Sequence, residues 1–353
     1  MSIAFDHTTL GQRVLFGTGR AVEHAVAAIE DLGAERVLLI AGGSAMALSD
    51  AIAARAPIVE RIHDIVQHVP VENGRAAVDL ARRARVDALL AIGGGSSTGL
   101  AKVVARDTGV GIVAIPTTFA GSEATNVWGQ TEGARKTTGV DDRVLPKVVV
   151  YDAALSRSLP GNLATASGLN AVAHAVDGFW APRADPINTA LGTGGIRALF
   201  PALRALHADP DDIAAREQAL YGAYLAAVAF ASSGSGMHHK ICHVLGGAYG
   251  LSHAEMHAVV LAYVTAFNAP AAPDATARVS AALGGTDAGQ GLYELRASLG
   301  IAGSLAELGL AESDIAAAAR LSYEAIPRSN PRPVSVEDVE RIIRAAWAGE
   351  PVE

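Results

Sequence analysis

The sequence predicts two domains: an α/β nucleotide-binding domain over residues 1–157 with a mostly parallel sheet, and an all-α helical bundle over residues 158–353. Three observations predict this. A chain of 353 residues is long for one hydrophobic core and comfortable for two. The first 150 residues alternate short β-branched runs with amphipathic stretches. From about residue 155 that rhythm stops, and the apolar residues recur at helical spacing.

The predicted strands are RVLFG (13–17), RVLLIAGG (36–43), RIHDIV (61–66), DALLAIGGG (87–95), GIVAIP (111–116) and KVVVYD (147–152), most of them ended by Gly or Pro. Stretches such as AVEHAVAAIEDLG and GRAAVDLARRARV supply the intervening helices. Pro and Gly in SRSLPGN (156–162) punctuate the boundary. Segments from GLNAVAHAVDGFWA to SVEDVERIIRAAWAG then read as helices, with NAPAAPDATA (268–277) as a loop.

Half of the residues are hydrophobic and 18% are charged, as in a well-buried globular protein. The net charge of −8 argues against nucleic acid or an anionic membrane surface as main partner, because both reward a basic face. One cysteine, Cys242, excludes an intrachain disulfide and suits a reducing cytoplasm. No signal peptide and no run long enough to span a membrane are present, so a cytoplasmic location is expected.

Three glycine-bearing turns follow strands. AIGGGSSTGLAK (91–102) runs from a strand into a helix; Gly93, Gly94 and Gly95 let the backbone approach a ligand, and Ser96 and Ser97 add hydroxyl donors at a helix N-terminus. That geometry suits a pyrophosphate. FGTGR (16–20) is better read as a tight turn. AGGS (41–44) has Gly42, Gly43 and Ser44 where an acid would hold the ribose hydroxyls of NAD, so both NADH and NADPH remain candidates. IPTTFAGSEATNVWGQTEGARKTTG (115–139) is an irregular polar segment that offers Thr117, Thr118, Ser122 and Glu123 beside the phosphate loop, or else a solvated hairpin tip.

HHKICHVLGGAYGLSH (238–253) concentrates four histidines in sixteen positions. Asn170 and His174, and likewise His239 and His243, are four apart and share helix faces. Gly246, Gly247 and Gly250 are expected to break the second helix, so that His253 arrives on the next one, folded back. The options are a metal site, a proton-handling site or a site for an anionic substrate.

These motifs together, GGGSS with AK, PTTFAGSE, N-x-x-x-H at 170–174 and H-x-x-x-H with a further His at 239, 243 and 253, resemble the iron-containing alcohol dehydrogenase family, which has a dehydroquinate synthase-like fold. The resemblance runs over nearly the whole chain. It implies a nucleotide domain, a helical domain, an active site in the cleft between them, and a homodimer. In metal-using members an Asp and three His hold a divalent metal; the matching positions here are Asn170, His174, His239 and His253, with His243 near the nicotinamide. Asparagine at the first of them removes the only anionic ligand, so the resemblance implies vestigial metal positions and no metal. Gly99 stands where the family usually has Asp. With WGQTEGARKTTG, DDRVLP and GLNAVAHAV, these departures are similar to the maleylacetate reductase branch.

That branch uses NAD(P)H to reduce a dicarboxylate enone. The resemblance implies catalytic roles for His243 and His253 in oxyanion stabilisation and proton donation, with His174 and His239 lining the substrate and Lys240 nearby, because imidazole titrates near neutral pH. It places the pyrophosphate on Gly93 to Ser97, the nicotinamide near Thr117 and Thr118, and a ribose contact at Lys136. Asn170 becomes a neutral hydrogen-bonding residue, and Arg135, Arg143, Lys147 and Lys240 are candidates for the substrate carboxylates. The competing expectations are a metal-dependent alcohol dehydrogenase, a lyase like dehydroquinate synthase, and a nucleotide-binding sensor without catalysis.

Overall fold

A computed structural model describes residues 4–133 and 135–352, with Arg135 and Lys136 described as backbone alone. The chain divides into two compact units, one over Thr9–Leu159 and one that begins at Pro160 and takes in the residues before Thr9.

The first unit is built on six parallel strands: β1 (Arg13–Phe16), β2 (Val37–Ala41), β3 (Ile58–Ile62), β4 (Ala88–Gly93), β5 (Gly111–Pro116) and a late strand, Val148–Tyr151, in the order Arg13, Val148, Gly111, Ala88, Val37, Ile58 by first residue. The helices α1 (Ala21–Asp31), α2 (Met46–Ala53), α3 (Val71–Arg83) and α4 (Gly95–Thr108) connect them. β2 and β4 are apolar from end to end apart from the closing glycine, because side chains on both faces of the sheet are buried. Leu38, Ile40, Leu89 and Ala91 pack on one face and Val37, Leu39, Leu90 and Ile92 on the other.

Two sequence expectations need adjusting here. The third strand is IVERI, not RIHDIV, so only its last two residues were included in the predicted span. The 115–139 segment is in large part an antiparallel hairpin of β6 (Val127–Glu132) and β7 (Arg135–Val140). The late strand is therefore β8 (Val148–Tyr151). FGTGR is a turn tied down by Asp152, which accepts hydrogen bonds from the backbone of Gly19, Ala21 and Ala154 at 2.9–3.1 Å.

The second unit has no strand among its described residues. Its helices are α5 (Gly161–Gly178), α6 (Pro186–Ala208), α7 (Ile213–Ser233), α8 (Met237–Tyr249), α9 (His253–Asn268), α10 (Pro273–Ala282), α11 (Ala288–Ser298), α12 (Ile315–Ala325) and α13 (Val336–Ala348). α5 is buried all round from Ala164 to Gly178, which its run of Ala, Gly and Ser allows. α6 and α7 meet backbone to backbone: a Cβ at Gly222 would lie 2.9 Å from the Gly195 carbonyl. α8 carries on through Gly246 and Gly247 and ends only at Gly250, which adopts the left-handed conformation at φ 69°. Of the three predicted helix breakers, one stops the helix. No described helix is long and apolar enough to cross a membrane.

Candidate functional site

In the first unit, the carboxyl ends of the parallel strands surround a concavity of about 430 Å³. Gly42, Ser44, Gly93, Gly94, Gly95, Ser96, Ser97 and Thr117 all line it. Gly93 has φ 140° and its missing Cβ would sit 2.5 Å from Ser97 Oγ, so glycine is required both by backbone and by space. Gly94 then caps α4, whose first N–H groups are without helical partners and point along the positive end of the helix dipole. The wall also includes Ala45, Leu48, Ala154, Leu155 and Ser158, which the sequence reading missed. All five follow the carboxyl end of β2 or β8, and that position was the available signal.

Two predicted cofactor residues stand elsewhere. Thr118 packs its methyl 3.0 Å from where a Gly94 Cβ would be, supporting the loop from outside the lining. Ser122 gives its carbonyl to Lys102 Nζ at 2.6 Å. Lys102, fully buried on α4, also donates to Thr125 Oγ1 at 3.0 Å and the Val127 carbonyl at 2.7 Å. Burial draws its pKa down to about 7, with the nearby Glu123 opposing. Glu123 is buried too, accepts from Tyr151 Oη at 2.7 Å, and is shifted upward by its own desolvation.

Predicted carboxylate binders fare unevenly. Arg143 is exposed and its guanidinium is committed to Asp141 at 2.6–3.1 Å, so it is not held ready for a substrate. The side chains of Arg135 and Lys136 lie outside the described residues. Lys240 is half-buried on α8.

In the second unit, α5, α8 and α9 bring the histidines together. His174 and His239 stack at 5.0 Å between ring centroids, His239 lies 6.0 Å from His243, and His253 lies 4.3 Å from His257. Phe230 of α7 covers His174 and His239 at 4.8 and 4.3 Å. Asn170, His174 and His239 are buried, whereas His243 is half-buried and His253 is exposed.

Three residues of this cluster were not predicted. His238 and His257 are buried in it, at 5.0 and 4.8 Å from the His257 and His239 rings respectively. Asp177, one turn beyond His174, accepts from His239 Nδ1 at 2.9 Å and from the Gly236 backbone at 2.7 Å. The i, i+4 spacing of His253 and His257 in HAEMH was a legible signal; Asp177 lay in an apolar helix with none.

Burial sets the protonation of the cluster. It depresses His174 to about 4 and lowers His238, with His239 and His257 pushed well below the ordinary imidazole value, each by desolvation first. These four rings are neutral at neutral pH. His174 and His239 are thus not imidazoles that titrate near neutrality.

Several buried polar atoms have no hydrogen-bond partner: Asn170 Oδ1, His174 Nδ1, His239 Nε2 and both ring nitrogens of His257. Such atoms are costly unless something binds them. The metal positions implied by the resemblance supply an amide oxygen and imidazoles, which suit a divalent transition metal in type. They carry no charge; the nearest carboxylate, Asp177, reaches His239 from behind and would not ligate. His238, His239 and His257 also place donor atoms within 4.8 Å of one another. There, His238 Nε2 donates to the His257 carbonyl at 3.0 Å and His239 Nδ1 to Asp177 at 2.9 Å.

Comparison with known proteins gives a family. The model for iron-containing alcohol dehydrogenase matches residues 11–153, and that for the C-terminal part of the Fe-containing alcohol dehydrogenase family matches residues 164–347. A maleylacetate reductase of Sphingobium indicum is 42% identical over 98% of both chains. Among solved structures, an iron-containing alcohol dehydrogenase of Corynebacterium glutamicum is 49% identical with a TM-score of 0.95, covering 99% of this chain and 98% of that one. A maleylacetate reductase of Agrobacterium tumefaciens is 38% identical with a TM-score of 0.94, covering 99% and 100%. The glycine-lined concavity, the histidine-bearing helices and these full-length matches agree: the chain belongs to the iron-containing alcohol dehydrogenase family.

Proposed function

We propose that the protein is an NAD(P)H-dependent oxidoreductase that reduces the conjugated C=C of maleylacetate to give 3-oxoadipate. The observation that carries this is the full-length likeness, 42% identity over 98% of the chain, to a protein named maleylacetate reductase. The chemistry is a hydride from the nicotinamide to the alkene carbon β to the ketone, an enolate on the ketone oxygen, and a proton delivered to the α carbon. NAD(P)H and one proton are consumed and NAD(P)+ is released.

The structure supports a division of labour among the histidines. His243 and His253 are the ones with access to solvent, so they are suited to donate to the oxyanion and to recover a proton from water. The buried neutral His174 and His239, with Asn170, line and orient the substrate. Gly93 to Ser97 hold the pyrophosphate, and the absence of an acidic side chain at Gly42 and Ser44 leaves the ribose side open to NADH and NADPH alike. We further propose that turnover needs no resident metal, because the donor set around Asn170 lacks an anionic ligand.

The alternative is a metal-dependent alcohol dehydrogenase, favoured by the unpartnered Asn170 Oδ1, His174 Nδ1 and His239 Nε2. There Asn170, His174, His239 and His253 would hold the ion, which would supply Lewis-acid polarisation of a substrate oxygen. The deciding experiment is NAD(P)H oxidation with freshly generated maleylacetate, on protein treated with a strong chelator and assayed for bound metal. Undiminished turnover supports the proposal; activity that returns only with added Fe(II) or Zn(II) replaces it with the alternative.

A further inference from the structure

We propose that Asp177 is a positioning residue that fixes His239 as its Nδ1–H tautomer, so that His239 Nε2 enters the reaction as a lone pair and never as a donor. This deepens the reductase reading and rests on it for its kinetic arm alone.

Asp177 is fully buried on the last turn of α5. Its Oδ2 accepts from Gly236 N at 2.7 Å, His239 Nδ1 at 2.9 Å and His239 N at 3.4 Å. Its Oδ1 accepts from His238 N and from Trp180 Nε1, both at 3.2 Å. Every backbone and indole partner is an N–H that can only donate, so the atom facing them must accept. Seen from His239, the other neighbour of Nδ1 is His238 Nδ1 at 3.3 Å. His238 Nε2 donates to the His257 carbonyl, which accepts only, and a neutral ring has one proton; His238 Nδ1 is thereby an acceptor as well. His239 Nδ1 thus lies between two acceptors and must hold the hydrogen.

The consequence falls on the opposite side of the ring. Nε2 is buried, unpartnered and without a proton. It cannot donate to an enolate oxygen, so oxyanion stabilisation belongs to other groups. It can accept from an O–H or N–H and so orient a proton donor or a hydrated substrate. The same carboxylate caps the N-terminus of α8, which makes one residue responsible both for where that helix starts and for what its third residue, His239, presents.

A capping role alone and the tautomer role are separable. In Asp177→Asn an oxygen in the place of Oδ1 still accepts from His238 N, but an amide N–H2 in the place of Oδ2 gives up the bond to Gly236 N, makes His239 Nδ1 the acceptor and moves its proton to Nε2. Imidazole 15N spectra of the chelator-treated protein, with the His239 signals assigned by their loss in His239→Gln, read the proton position directly. Expected are Nδ1–H in the parent and Nε2–H in Asp177→Asn, together with a fall in kcat on the order of 100-fold at unchanged KM for the cofactor. Asp177→Ser keeps a helix cap without a group that reaches the ring, and should lose kcat likewise. An Nε2–H in the parent overturns the proposal, as does a folded Asp177→Asn with parental kcat. Should Asp177→Asn not fold, the parent spectrum and Asp177→Ser still decide. If the parent turns over no maleylacetate, the reductase reading fails while the spectrum continues to test the tautomer.

Discussion

His243 and His253 differ from the other imidazoles of the cluster by their contact with solvent, and that difference predicts different mutational signatures. His243→Ala and His253→Ala remove partly exposed rings, so each should melt close to the parent while kcat falls about 100-fold, the worth of one well-placed donor to developing charge. Steady-state kinetics beside thermal melts will check this, and parental kcat in both would return these residues to the surface. At this scale the sequence was partly legible. Spacing of four along a helix put His239 and His243 on one face and Asn170 and His174 on another. What spacing could not show is depth: His239 and His253 read alike as letters, yet one is buried and neutral and the other is exposed.

The element that opens from the glycine turn of the proposed nucleotide cradle is α4, and Lys102 on it is the clasp for the segment that follows β5. Its three acceptors, the carbonyls of Ser122 and Val127 and the hydroxyl of Thr125, hold that segment against the helix. Lys102→Met keeps the length of the side chain and takes one donor from each of those acceptors. The expected loss is roughly 3 kcal/mol of unfolding free energy, read as a lower urea midpoint, together with a higher KM for NAD(P)H. Elements were the most legible level. β-branched runs closed by glycine marked β2, β4 and β5, and α-helical spacing marked the second unit. The errors share one cause, since a residue's local preference was outvoted by its surroundings. Gly246 and Gly247 stay helical with α8 packed among α5, α9 and α12, and the polar hairpin of β6 and β7 lies against α3 and α4.

For the whole molecule, the buried histidines dictate how stability depends on pH. Each is depressed in the folded protein and ordinary, near 6.5, when unfolded, so below that value the unfolded chain binds more protons. Stability is therefore complete above about pH 6.5 and declines as pH falls toward the folded value, about 4 for His174. Scanning calorimetry between pH 7.5 and 5 should show a steady fall in Tm. A flat profile across that range would mean that these rings are not buried as neutral groups.

His257 shows what such an arrangement implies for the protein's history of compromise. Both of its ring nitrogens are buried without partners, and aromatic rings surround it. For folding alone a phenylalanine would serve better there, and a sequence selected for stability alone would carry one. His257→Phe should raise Tm by a few degrees, corresponding to about 1–2 kcal/mol after some crowding by the larger ring, and should slow turnover through its neighbour His253. A variant that is both sturdier and slower would mark this cluster as local frustration kept for activity, a place where the fold is held short of its own optimum.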